Sequence, residues 1–277
     1  MRHAFTVDLE DWYHGIPIAA ESKARAERRL HLGTEALLEL LQRNNARATF
    51  FILGPIAREH PGLVRRIAAA GHDIGSHGVS HDLIYEMSRE RFREETRASI
   101  RDLEDLIGRP VRSYRAAYFS ITRRSLWALD VLAECGVRFD SSIFPVANWR
   151  YGIPDWSRRP TVVDTASGPL LEFPISTRRL LGRNIPVTGG AYFRIYPYAL
   201  TCANVRAAER EGMPVVFYLH PWELDPDHPV VRFRARAMVT HYANLGATRP
   251  RLERLLAEFN FTTLGEVLSD AFPGLGS

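Results

Sequence analysis

From residue 5 to residue 140, short apolar runs alternate with stretches patterned for amphipathic helices. Phe5–Leu9, Arg47–Leu53, His72–Ser76, Ser113–Arg115 and Val137–Asp140 read as strands. Between them, Gly33–Asn44 sets Leu37, Leu38, Leu40 and Leu41 at helical spacing, and Pro61–Ala70 begins on proline and stops at Gly71. Ser88 caps a helix to about Ile107, with Phe92, Thr96, Ile100, Leu103 and Ile107 on one stripe, and Gly108-Arg109-Pro110 ends it. Thr122–Glu134 is the next helix, closed by Gly136. Continuous apolar strands need cover on both faces, and intervening helices supply it only in a parallel sheet, open or closed into a barrel.

The pattern changes between Phe144 and Gly190, where Pro, Gly, Trp and Arg accumulate. Long loops with two short strands, Thr161–Asp164 and Leu170–Phe173, are expected there. Regularity returns with a helix at Tyr198–Glu211, the apolar strand Val215–Leu219, helices across Arg232–Leu245 and Arg249–Phe259, and a last strand and helix. Without linker composition or repeats, one domain over residues 1–277 is expected, with an elaborated C-terminal third.

A hydrophobic fraction of 45% against 25% charged residues supplies a large core and argues against disorder. No apolar run approaches the roughly 20 residues that cross a bilayer. Strand-like alternation starts at once in Met1-Arg2-His3-Ala4-Phe5-Thr6-Val7-Asp8, leaving no room for a signal peptide, so a cytoplasmic location is expected. The net charge of +4 comes almost wholly from arginine, Lys23 being the one lysine. Runs such as Glu90-Arg91-Phe92-Arg93-Glu94-Glu95 read as ion-paired helix faces, not a phosphate-binding stripe, so no nucleic-acid partner is expected. Cys135 and Cys202 lack CxxC spacing and read as ordinary thiols.

Three polar clusters each lie where an expected strand ends: Asp8-Leu9-Glu10-Asp11-Trp12, Ser76-His77-Gly78-Val79-Ser80-His81, and Leu219-His220-Pro221-Trp222-Glu223. In parallel α/β folds the carboxyl ends of strands share one face, so residues distant in sequence converge there. His77 and His81, four apart, can aim two imidazoles at one ion, although ten histidines produce such a spacing easily by chance. One carboxylate from the first strand completes a two-His, one-acid set with open positions for water. On a strand Asp8 and Glu10 share a face while Leu9 points away. One acid can then hold the metal while the other takes a proton from the attacking water.

These residues together resemble the NodB-homology polysaccharide deacetylases. Thr6-Val7-Asp8-Leu9-Glu10-Asp11 and Gly71-His72-Asp73-Ile74-Gly75-Ser76-His77 with His81 look like the first two motifs, and Ala48-Thr49-Phe50-Phe51 fits between them. Ser113-Tyr114-Arg115-Ala116-Ala117-Tyr118-Phe119 looks like the third, Phe139-Asp140-Ser141-Ser142 the fourth and Leu219-His220 the fifth. Asp11-Trp12-Tyr13-His14, Gly189-Gly190-Ala191-Tyr192-Phe193-Arg194 and His220-Pro221-Trp222-Glu223-Leu224-Asp225-Pro226 further resemble a bacterial subgroup associated with exopolysaccharide gene clusters, which carries an extra C-terminal segment, here about residues 224–277.

The resemblance implies a distorted (β/α) barrel of about seven parallel strands and metal-dependent hydrolysis of an N-acetyl amide on a saccharide. It makes Asp8 the general base, His220 the general acid, Arg115 the residue that orients the base, and Asp140 the support of His220. It makes His77 and His81 metal ligands beside a carboxylate. Leu9 interrupts the usual pair of adjacent Asp residues, which leaves Glu10, favoured by strand alternation, or Asp11 as that carboxylate. Zn²⁺ is the first expectation for the metal, with Co²⁺ or another divalent ion as alternatives. Ala117 stands where proline is usual, which loosens the expected hold on Arg115.

Tyr118, Trp12, Leu219 and Trp222 are the substrate-binding candidates, with a Tyr118 backbone N–H as an oxyanion donor. Trp149 and Tyr192 are further aromatic candidates for sugar stacking. His14 could line the site, Arg194 and Glu223 could pair with each other or meet substrate, and His3, His31, His60, His228 and His241 have no evident partner. Two other readings compete: a cyclic-amide or ureide hydrolase on the same barrel, and a saccharide-binding module without catalysis. A peripheral position at the inner membrane face is the alternative to a freely cytoplasmic one.

Overall fold

The computed structural model describes residues 1–16 and 18–275; the last two residues of the expected domain lie outside the described residues. Its strands are β1 (Arg2–Leu9), β2 (Thr49–Ile52), β3 (Asp73–Ser76), β4 (Ser113–Tyr114), β5 (Phe139–Asp140), β6 (Thr161–Thr165), β7 (Gly168–Glu172), β8 (Thr177–Leu180), β9 (Arg183–Pro186), β10 (Val216–Leu219) and β11 (Asn260–Thr262). The main sheet runs β10-β1-β2-β3-β4-β5-β7-β6, with β11 also paired to β1. From β10 through β7 every pairing is parallel, which gives the seven-stranded parallel array expected; only β6 returns antiparallel on β7.

No ladder joins β7 to β10 among the described residues, so the barrel is open there. Side chains bridge the gap instead. Ser176 Oγ accepts from Val216 N at 2.8 Å, and Thr188 Oγ1 donates to Val216 O at 2.7 Å. The hairpin β8–β9 follows β7 in this region. It had no sequence expectation, because its alternation is masked by three arginines and a proline.

Strand alternation sorts the sheet's two faces. Phe5, Val7 and Leu9 of β1 join the large outer core with Phe50, Ile52, Leu37, Leu40 and Leu41. Ala4 and Phe51 instead enter an inner cluster with Phe119, Phe144, Val216 and Tyr218. Thr6 and Asp8 share that inner face, so the polar end of β1 is presented inside the barrel rather than to the helices.

Two local features fix what lies around the carboxyl ends. The helix Arg89–Ile107 starts where Ser88 Oγ accepts from Arg91 N at 3.1 Å and ends at Gly108, left-handed at φ 67°. The helix Leu30–Arg43 packs directly on the turn Pro221–Leu224. A Cβ on Gly33 would lie 1.9 Å from Pro221 O, so only glycine lets that helix brace the turn that carries the His220 loop. No helix among the described residues is long and apolar enough to cross a membrane.

Candidate active site

The three strand-end clusters converge. Glu10, one residue past β1, His77, one past β3, and His81 bring their ligand atoms within 4.8 Å of one another. Glu10 Oε1 lies 2.9 Å from His77 Nε2 and 2.7 Å from His81 Nε2. His77 Nδ1 is 2.7 Å from the Arg115 carbonyl, a bond only an N–H can make, which leaves Nε2 of the neutral ring as a lone-pair donor turned toward Glu10. Burial alone would raise the Glu10 carboxyl, but His81 and His77 hold it well below the usual carboxylate range. Two imidazoles and one ionised carboxylate, all with an oxygen or nitrogen lone pair facing one point, fit a divalent cation of the zinc or cobalt type.

Asp11 is not part of this set. Its Oδ2 accepts from Arg29 N at 2.9 Å and Leu30 N at 3.1 Å, and its Oδ1 from Trp12 N at 2.9 Å. Arg29, the N-cap of the helix Leu30–Arg43, makes no capping bond with its own side chain, so Asp11 satisfies the helix's free N–H groups from a distance. Asp11→Ala is therefore expected to destabilise the fold by about 2 kcal/mol while metal content is unchanged. Urea unfolding and metal analysis of the variant check this; lost metal with intact stability would return Asp11 to the ligand set.

Beside the metal cluster stands a second polar assembly. Arg115 is wholly buried, and its Nη1 donates to Asp8 Oδ1 at 2.8 Å and to Thr6 Oγ1 at 2.9 Å. Its Nε reaches the Ser141 carbonyl at 3.0 Å, its Nη2 Ser141 Oγ at 3.0 Å, and its guanidinium lies 4.4 Å from the Phe51 ring centroid. Four bonds and a ring face hold Arg115 rigidly despite Ala117. His220 Nε2 lies 3.9 Å from Asp8 Oδ2, which places an acid–base pair across one small space.

His220 is supported by Glu223, not by Asp140. Glu223 Oε1 is 3.0 Å from His220 Nδ1 and accepts the His220 backbone N–H at 3.0 Å, while Oε2 meets Arg194 Nε at 2.7 Å. Although burial opposes the charged forms, Glu223 and the acids Glu10 and Asp8 raise His220 to about 9. Burial would likewise raise Glu223, yet Arg194 and His220 bring it down to about 2. Asp140 is buried behind the site, where its Oδ1 accepts from Ser142 Oγ at 2.5 Å and its strand register pairs it with Glu172. Burial and the neighbouring Asp140 push Glu172 well above the usual carboxylate range.

The aromatic candidates separate. Tyr118 sits in a left-handed turn at φ 55°, its ring 4.5 Å from His81 and the Arg150 guanidinium 3.8 Å from its centroid. Trp222 stacks on His220 at 5.3 Å and on His241 at 4.1 Å, forming a wall behind the His220 imidazole. Trp12 does not face the site: it is buried, donates to Glu27 O at 3.0 Å and stacks on His228. Leu219 is fully buried in the outer core and has no surface for a ligand. Trp149 is 87% exposed, one residue from Arg150. His14 accepts from Asp11 N through Nδ1 at 2.9 Å, and its proton affinity is lowered by burial. With Asp11, Lys23, Arg28, Glu59 and His60 it lines a cleft of about 210 Å³.

The contact of Glu223 with His220 has a signal in the sequence that the reading of Glu223 as a partner of Arg194 or substrate did not use. Proline after His220 starts a 3₁₀ turn, in which positions three apart eclipse, so the acid at His220 plus three must face the imidazole.

Residues 30–139 match the polysaccharide deacetylase family model, and residues 141–269 match a family described only as a domain of unknown function, DUF3473. Over 124 residues the chain is 30% identical to a peptidoglycan-N-acetylglucosamine deacetylase of Bacillus cereus, covering 44% of this chain and 41% of that protein. Over 125 residues it is 31% identical to a chitooligosaccharide deacetylase of Rhizobium leguminosarum bv. trifolii, covering 45% of this chain and 54% of that one. The chain thus spans about half, or less, of the length of these relatives. A Mycobacterium smegmatis crystal structure described as a candidate polysaccharide deacetylase superposes with a TM-score of 0.66 at 21% identity, covering 96% of this chain and 88% of the other. The Puue allantoinase superposes with a TM-score of 0.63 at 17% identity, covering 98% and 90%. These two likenesses speak to the fold.

Proposed function

Because residues 30–139 match the polysaccharide deacetylase family model, we propose that the chain hydrolyses the N-acetyl amide of an amino sugar in a saccharide or polysaccharide precursor, releasing acetate. The observation that carries this reading is the meeting of a two-His, one-carboxylate cluster with the Arg115–Asp8–His220 assembly at one end of the barrel. We also read residues 1–277 as one working unit, a reading supported by the pairing of β1 with β10 and β11.

Glu10, His77 and His81 would hold the metal. A bound divalent cation lowers the pKa of a water molecule and polarises the amide carbonyl. Asp8, fixed by Arg115, accepts the proton that the water gives up as its oxygen bonds to the carbonyl carbon. The Tyr118 N–H, presented by a left-handed turn beside His81, donates to the developing oxyanion. His220, protonated at neutral pH, delivers its proton to the amide nitrogen as the C–N bond breaks, leaving acetate and a free amine. The exopolysaccharide setting belongs to the same proposal and rests on the run from His220 to Pro226. A cytoplasmic or inner-face location is proposed with it.

The test is acetate release from N-acetylglucosamine oligomers by protein supplied with Zn²⁺ or Co²⁺. Acetate and free amine in equal amounts are expected, abolished by chelation and restored by metal. His77→Ala/His81→Ala protein is expected to bind no metal. If acetylated saccharides release no acetate while a cyclic ureide is opened, the deacetylase reading fails and the hydrolase of cyclic amides replaces it.

A further inference from the structure

The hairpin β8–β9 contains a residue that folding does not call for. Its turn is Leu181-Gly182, with φ of 48° and 77°, so both central positions are left-handed, the type I′ arrangement. Asn, Asp or Gly suit the first of these positions, whereas leucine meets a steric penalty there. Leu181 gains no packing in return, being 95% exposed, and its neighbour Leu180 is 52% exposed. The hairpin is nonetheless firmly held at its base. Arg178 Nη1 donates to Asn204 Oδ1 at 3.0 Å, Arg158 Nη2 to the Thr177 carbonyl at 2.9 Å, and Asn184 Nδ2 to the Pro154 carbonyl at 3.2 Å. A rigid stem thus carries a strained, apolar tip into solvent.

The exposed charged side chains of the hairpin itself are arginines. Arg183 faces Leu180 across the hairpin, Arg179 precedes Leu180, and Arg159 lines a cleft with Arg179; all three are exposed. Among the described residues none of these three guanidinium groups has a carboxylate partner. The acids of that cleft are already engaged, Asp155 with Arg123 and Glu211 with Arg158.

We infer that the tip of β8–β9 docks on an anionic lipid bilayer, with Leu180 and Leu181 entering the boundary between headgroups and acyl chains and Arg159, Arg179 and Arg183 meeting lipid phosphates. Two exposed aliphatic side chains beside arginines that lack a carboxylate partner, Arg159 donating only to the Glu211 carbonyl at 2.8 Å, suit an interface that is apolar within and anionic at its surface. They do not suit a protein partner, whose interfaces bury about 800 Å² a side around aromatic anchors. The inference is independent of the catalytic reading.

Sedimentation of the full chain with vesicles of phosphatidylcholine alone, or mixed with phosphatidylglycerol, tests it. Binding to the mixed vesicles, weakened by added salt, is expected, with little binding to phosphatidylcholine. Leu181→Asn is expected to lower vesicle affinity about tenfold while Tm stays equal or rises, because asparagine fits the turn better. Arg179→Gln/Arg183→Gln is expected to lower affinity by about tenfold as well. The inference is overturned if wild-type protein ignores anionic vesicles, or if Leu181→Asn binds them as well as wild type. A fall in Tm for Leu181→Asn would give Leu181 a structural role instead. Altered oligomeric state without altered vesicle binding would make the tip a protein contact.

Discussion

Asp8→Asn is expected to lower kcat for acetate release by about 10³-fold, with metal stoichiometry close to that of the wild type. Asparagine keeps the shape of the side chain and an oxygen for Arg115 Nη1, but it cannot take a proton from water at neutral pH. The metal cluster is built from Glu10, His77 and His81 and does not include Asp8. Metal content and turnover should therefore separate. The substitution also leaves the buried Arg115 charge without its carboxylate, so a loss of several kcal/mol of stability should accompany it. Kinetics are to be measured well below the variant's Tm. Retained turnover would move the base elsewhere, and loss of metal would mean that Asp8 belongs to the ligand set.

Glu223→Gln should lower activity by about 10²-fold at neutral pH and move the alkaline limb of the pH–rate profile from about pH 9 toward an ordinary histidine value of 6.5. The sign follows from which partner loses its charge. His220, raised to about 9, contributes stability fully below about pH 6.5 and loses it as pH rises through 9. Glu223, lowered to about 2 from 4.5, contributes above about pH 4.5 and loses it as pH falls through 2. Both charges are thus in place from about pH 5 to 8. The amide removes the anion from His220, whose proton is then held less tightly, and takes the carboxylate charge from the buried Arg194, which keeps the carbonyls of Ala243 and Thr240.

An unpaired buried arginine costs about 3–5 kcal/mol, so urea unfolding should show a large loss. The double variant Arg194→Met/Glu223→Gln separates the two effects, since removing both charges should recover much of the stability but not the alkaline limb. An unchanged limb in Glu223→Gln would show that Glu223 serves the fold and not His220.

Much of this site was legible one strand at a time. Asp8 and Glu10 could be assigned to one face from the period of a strand, and His77 and His81 stood out by spacing and by their place at a strand end. Their roles came from the motif resemblance. The errors share a cause: they concern which partner a side chain meets from another element. Asp140 is a strand-end acid like Asp8, but the register of β5 on β7 sets it against Glu172, and Glu223 is the acid that meets His220. Asp11, the open alternative to the favoured Glu10, instead has its carboxylate taken by the free N–H groups of Arg29 and Leu30. Trp12 and Leu219 sit beside polar motifs, and their apolar area is spent in cores instead.

The site is also composite in a way that no single segment discloses. The deacetylase family match, residues 30–139, contains His77, His81 and Arg115, whereas Asp8 and Glu10 precede it and His220 and Glu223 lie in the stretch matched by DUF3473. Hydrogen bonding of β1 between β2 and β10 brings the three together.

The sequence by itself determined the alternation of strands and helices, the parallel array, the helix ends at Ser88 and Gly108, and the residue types needed for a metal and an acid–base pair. These follow from local periodicity and backbone preference, which act over a few residues. Only the tertiary structure decided that Glu10 rather than Asp11 meets the histidines, that Glu223 and Arg194 hold His220, and that the barrel stays open between β7 and β10. Those outcomes depend on register and burial between segments up to two hundred residues apart, where a carboxylate's partner is set by whichever donor the packed chain leaves unsatisfied.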